Sequence, residues 1–101
     1  MPEVCRVGDS LSTGHLCSAS TKIASSATDG TVHANGTDII VVGAPTQSHP
    51  FPPAPLCLPH VANLNEGSNT VFINGISVGR IGDSADKGQM TSGSFNVFVG
   101  D

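Results

Sequence analysis

Short apolar and β-branched runs, such as Ile39-Ile40-Val41-Val42 and Val71-Phe72-Ile73, alternate along the chain with Gly, Pro and Asn. Brief runs bounded by such residues predict short strands joined by tight turns. No segment keeps apolar residues at a 3.6-residue period for three turns without a Gly or Pro interrupting it, so no helix is predicted and the class is all-β.

The same pattern repeats. Thr31-Val32-His33-Ala34-Asn35-Gly36 recurs as Thr70-Val71-Phe72-Ile73-Asn74-Gly75 and, degraded, as Asn96-Val97-Phe98-Val99-Gly100-Asp101. The Asn-Gly pairs supply the positive φ of a two-residue hairpin turn. Arg80-Ile81-Gly82-Asp83 follows the second copy, Val41-Val42-Gly43-Ala44 takes that place in the first, and Arg6-Val7-Gly8-Asp9 stands at the start of the chain. The third copy stops after one strand and the N-terminus begins with the strand it lacks. The pattern therefore predicts that the region of Val97 to Val99 pairs with that of Val4 to Val7, closing a pseudo-threefold arrangement of strand and hairpin units.

Composition adds a constraint. A chain of 101 residues with four Phe and no Trp or Tyr forms one domain, residues 1–101, with a thin core that needs a metal, a disulfide or a partner. The net charge of −4, with four Lys and Arg, gives no basic patch for nucleic acid. No apolar run is long enough to cross a bilayer, and Met-Pro-Glu-Val lacks the regions of a signal peptide, so synthesis in the cytoplasm is expected. The odd count of Cys5, Cys17 and Cys57 does not read as a disulfide framework. A Cys5–Cys17 bridge is open, but in a cytoplasmic product two buried thiols are the expectation.

The loops after the Gly-Asp and Gly-Ala steps carry His15, His49 and Gln89, and the second adds Cys57-Leu58-Pro59-His60. If the repeat gathers these loops at one end, His15, His49, Cys57 and His60 form a tetrahedral set of three imidazoles and a thiolate, suited to zinc. Four protein ligands leave no place for an activated water, so the ion is expected to be structural. His33 holds the strand position of Phe72 and reads as a sheet-face residue. Gln89 is a poor ligand and reads as a hydrogen-bonding neighbour of the site.

Arg-x-Gly-Asp at 6–9 and 80–83, the Gly14-His15 loop, Cys57-Leu58-Pro59-His60 and Thr70-Val71-Phe72-Ile73-Asn74-Gly75 together resemble the PAAR-repeat family, over nearly the whole chain. Ser77-Val78-Gly79-Arg80 and Glu3-Val4-Cys5-Arg6 stand where that family has Pro-Ala-Ala-Arg, keeping the Arg and the Gly-Asp turn. This departure points toward a phage-baseplate branch rather than a typical type VI secretion protein. The resemblance implies a small cone with one structural zinc at its apex, held by three histidines and a cysteine. It also implies a monomer whose base caps a trimeric β-helical spike, VgrG-like or a phage central spike, at one copy per trimer. Such a tip pierces a membrane without residing in it, performs no catalysis and is ejected with its needle. With the last repeat ending at Asp101, no effector extension is expected. Two other readings compete: a phage-tail adhesion module, which would itself trimerise, and a small zinc hydrolase using His15, His49 and His60, for which the general base is poor, Asp86 being the acid in an equivalent loop.

Overall fold

The computed structural model describes residues 2–28, 32–53 and 55–100. Thr31 and Asp101, which open the first repeat copy and close the third, lie outside the described residues. All ten strands among the described residues pair as antiparallel hairpins, and there is no helix. The expected all-β class holds.

The hairpins fall into two sets. β3 (His33–Ala34) with β4 (Thr37–Asp38), and β7 (Phe72–Ile73) with β8 (Ile76–Ser77), turn at the Asn-Gly pairs. Asn35 and Gly36 have φ of 55° and 77°, and Asn74 and Gly75 have 52° and 80°, as a two-residue hairpin requires. The other set comprises β1 (Ser10–His15) with β2 (Ser18–Lys22), β5 (His49–Phe51) with β6 (Leu58–His60), and β9 (Ser84–Ala85) with β10 (Gly88–Gln89). Bridges Leu11↔Met90, Ile23↔Thr46 and Leu64↔Ala85 join the first of these hairpins to the third, the first to the second and the second to the third. The three hairpins thus close on one another.

Between the two sets the chain passes three times through a ring. The Cys5 N–H donates to the Gly79 carbonyl at 2.9 Å, the Gly79 N–H to Ile40 at 2.9 Å, and the Ile40 N–H back to Cys5 at 3.2 Å. A second cycle of the same kind runs Val7 to Asp38, Val42 to Ser77 and Ile81 to Glu3. Each passage then turns at a glycine, Gly8, Gly43 or Gly82, with φ of 90°, 97° and 90°. In two passages the Arg-x-Gly-Asp sequence staples this turn. The Asp9 carboxylate accepts from the Arg6 backbone at 2.7 Å and from its guanidinium, and Asp83 does the same for Arg80. Val41 and Ala44 make the turn in the third passage by backbone bonding alone.

Buried serines mark the repeat a third time. The Ser68 hydroxyl accepts from the N–H groups of Thr70 and Val71, Ser94 from Asn96 and Val97, and Ser26 from Thr28. These local bonds satisfy backbone donors where no strand partner is available.

The chain ends meet, with Val4 donating to the Val97 carbonyl, Val99 to Pro2, and a bridge between Glu3 and Phe98. The pairing uses residues 2–4 and does not extend to Val7, whose N–H is committed to Asp38 in the ring. The core is aliphatic and in two parts. Cys5, Leu11, Ile23, Ile40, Ala44, Leu64, Ala85 and Met90 fill the side of β1, β2, β5, β6, β9 and β10. Val4, Ala34, Ile39, Val41, Ile73, Val78 and Val99 fill the other. None of the four Phe belongs to either buried cluster.

Candidate metal centre

The hairpins β1–β2, β5–β6 and β9–β10 turn at the same pole, and each brings at least one ligand side chain there. His15 is the last residue of β1, His49 and His60 face each other across β5 and β6, and Asp86 sits in the β9–β10 turn at a φ of 55°, which Asp tolerates. His15 Nε2 and His49 Nε2 each lie 2.8 Å from Asp86 Oδ2, and His60 Nε2 lies 3.4 Å from Oδ1. The Asp86 side chain is only 2% exposed. Ligand atoms of all four residues fall within 4.8 Å of one another, so the group could hold a metal ion.

The hydrogen bonds behind the rings favour a cation at the centre. His15 Nδ1 is 2.9 Å from the Leu16 carbonyl and His49 Nδ1 is 2.9 Å from the Gln47 carbonyl. A carbonyl only accepts, so each Nδ1 carries the proton, and in a neutral ring the Nε2 is then a bare lone pair. Those two lone pairs face each other at 3.3 Å and both face a carboxylate oxygen. Acceptors packed this closely repel unless positive charge lies among them. Burial pushes the Asp86 carboxyl up, but hydrogen bonding with His49, His15 and His60 outweighs that and holds it below the usual carboxylate range; this lowering requires a proton or a positive charge between rings and carboxylate, which an ion at the centre would equally supply. With metal bonds of about 2.0 Å, tetrahedral ligand atoms stand about 3.3 Å apart. The His15–His49 and His60–Asp86 separations of 3.3 and 3.4 Å match that spacing, while Asp86 Oδ2 lies closer, at 2.8 Å, to both His15 and His49. Phe51 covers the cluster, its ring 4.7 Å from that of His15 and 4.3 Å from that of His60.

No family model and no curated protein matches the chain.

The structure brings His15, His49 and His60 together as the repeat implied, but not Cys57. Cys57 forms a disulfide with Cys17, Cα to Cα 5.8 Å, so its sulfur is not a free thiolate and Asp86 takes the fourth position. The expected pair of free thiols and the Cys5–Cys17 alternative are corrected by the same bond. Cys5 is the free cysteine, buried beside the ring, where burial and the nearby Asp9 and Asp83 carboxylates push its thiol far up and leave it inert. The bond forms because β1–β2 and β5–β6 turn at one pole, a juxtaposition that the spacing in sequence does not reveal. Gln89 is also corrected: it is exposed on β10, its backbone paired with the Ser12 hydroxyl. His33 lies outside the cluster, exposed on β3 and 2.9 Å from Asp38, as its match to Phe72 implied.

The disulfide closes a separation of 40 residues, for which the typical stabilisation is about 2–4 kcal/mol. Melting with and without a reductant should show a lower Tm in the reduced protein. An unchanged Tm would mean that the bond does not form.

Proposed function

We propose that the chain is the tip of a contractile injection needle, a PAAR-like cap seated on the blunt end of a trimeric β-helical spike, VgrG-like or from a phage baseplate. The observation that carries this reading is the backbone cycle through Cys5, Ile40 and Gly79. A single chain with internal threefold symmetry can present a similar surface to each subunit of a threefold partner, and a cap of one copy needs that property.

The pole away from the histidines supports the same reading. Phe72 and Phe98 are exposed there at one repeat position, which the exposed His33 holds in the first copy; Val32 beside His33 is exposed as well, whereas its counterparts Val71 and Val97 pack against the core. Apolar side chains disposed in this way suit burial against the end strands of a spike, whose unpaired edges need cover. The opposite pole would be the apex of a cone, braced by one structural zinc. Three imidazole nitrogens and a carboxylate oxygen are ligands that zinc accepts. Asp86 in the fourth position leaves none for an activated water, which favours a brace over a hydrolytic centre. The cap would be made in the cytoplasm, assembled on the needle and driven with it through a target envelope.

Co-expression with the β-helical spike encoded nearby tests the reading. Native mass measurement should give one copy of this chain per spike trimer, and the chain alone should sediment as a monomer. Three copies per trimer, or no association, would overturn the capping role, and a stable homotrimer of the chain alone would favour an adhesion module.

A further inference from the structure

Turns between strands are usually built from Gly, Asn, Asp and Ser, because these residues satisfy local backbone groups and face water. Two of the three turns at the metal pole depart from that rule. Leu16 follows His15 in the β1–β2 turn and is 75% exposed; Leu56 and Leu58 flank Cys57 and are 70% and 62% exposed. The Cys17–Cys57 bond, Cα to Cα 5.8 Å, fixes the two segments that carry these leucines beside each other. The Asn-Gly turns at the other pole show that the chain uses polar turns where only turning is required.

The charge around these leucines is one-sided. Asp86 is buried among the histidines, and the exposed Glu66 lies a strand length back, bonded to the Ser84 N–H at the start of β9. Nearer the turns, Lys87 is the exposed formal charge among the described residues, its Nζ 5.1 Å from the Phe51 ring centroid. A chain of net charge −4 thus presents leucines and a cation at one end.

We propose that this end is a lipid-insertion wedge for an anionic bilayer surface, with Leu16, Leu56 and Leu58 entering the acyl region and Lys87 meeting the headgroups. A projecting apolar point needs a surface that flows around it, and a bilayer does so, whereas a protein partner would need a matching concavity. The disulfide keeps the leucines presented together, so little ordering is required on contact. Apolar burial with attraction to anionic lipid is the combination that gives interfacial binding. This adds a lipid partner to the spike-tip reading, and because its test uses no spike, the two can fail separately.

The test is flotation with phosphatidylcholine vesicles, with and without phosphatidylglycerol. The native chain should float with the anionic vesicles and much less with neutral ones. The pair Leu16→Ser and Leu58→Ser should weaken anionic binding at least about tenfold, while Phe72→Ser with Phe98→Ser, at the other pole, leaves it unchanged. Because the chain has no Trp, Leu56→Trp adds a reporter whose emission should shift to the blue on binding and be quenched by brominated acyl chains. The inference is overturned if the native chain does not bind, if it binds neutral vesicles equally well, if the phenylalanine pair abolishes binding, or if the Trp stays unshifted.

Discussion

His49→Ala should abolish metal binding at the histidine–aspartate cluster and lower the Tm by at least about 12 °C. His49 is 5% exposed, and its Nε2 lies 2.8 Å from Oδ2 of the buried Asp86 carboxylate. Removing it takes away a ring that neutralises a buried anion, directly or through an ion held between them, a change that costs about 3–5 kcal/mol. Each kcal/mol corresponds to about 4–8 °C in a domain of this size. If zinc is the ion, its binding adds a term on the order of 10 kcal/mol at neutral pH, so the loss would be larger still. His33→Ala is the matched control. Its exposed contact with Asp38 is worth about 0–1 kcal/mol, and the variant should melt within a few degrees of the native chain with its metal retained. Metal analysis and thermal melts read both variants, and similar melts for the two would remove the cluster from the account.

Gly14→Ala should destabilise the same pole by about 2–5 kcal/mol through the backbone alone. Gly14 has a φ of 71°, and a Cβ there would run into the carbonyl of Lys87 on the neighbouring hairpin. The left-handed conformation costs an L-residue about 1–2 kcal/mol, and forcing an atom into occupied space costs about 1–3 more. Gly8→Ala separates the two effects. Gly8 has a φ of 90° but nothing within 4 Å of the added atom, so only the conformational cost of about 1–2 kcal/mol applies. Denaturant unfolding of the pair should rank Gly14→Ala clearly below Gly8→Ala. Equal stabilities would mean that β1 and the β9–β10 turn are not in contact at Gly14.

Much of this architecture is legible in the sequence because turn residues are position-specific. Asn35-Gly36 and Asn74-Gly75 announce their hairpins, and Gly8, Gly43 and Gly82 mark the passages through the ring. The same periodicity brings His15, His49 and His60 to one pole. What the sequence conceals is which atoms meet there. Three loops of unequal length place their ligands at different distances from the marking glycine. The third hairpin is so short that the residue in the cluster is Asp86 of the turn itself, whereas the residue at the histidines' spacing from the marking glycine is Gln89 on β10. Cys17 and Cys57 illustrate the same limit, since spacing along the chain carries no information on two turns that converge from separate hairpins. Buried Ser26, Ser68 and Ser94 were readable in principle, each followed two residues on by Thr or Asn, but a lone serine carries too little signal to be picked out.

X-ray absorption on the metal-loaded native protein tests the centre most directly. The account predicts one bound ion surrounded by nitrogen and oxygen scatterers at about 2.0–2.2 Å, with none at the sulfur distance of about 2.3 Å. A sulfur shell, or a protein that retains no ion at all, would contradict it.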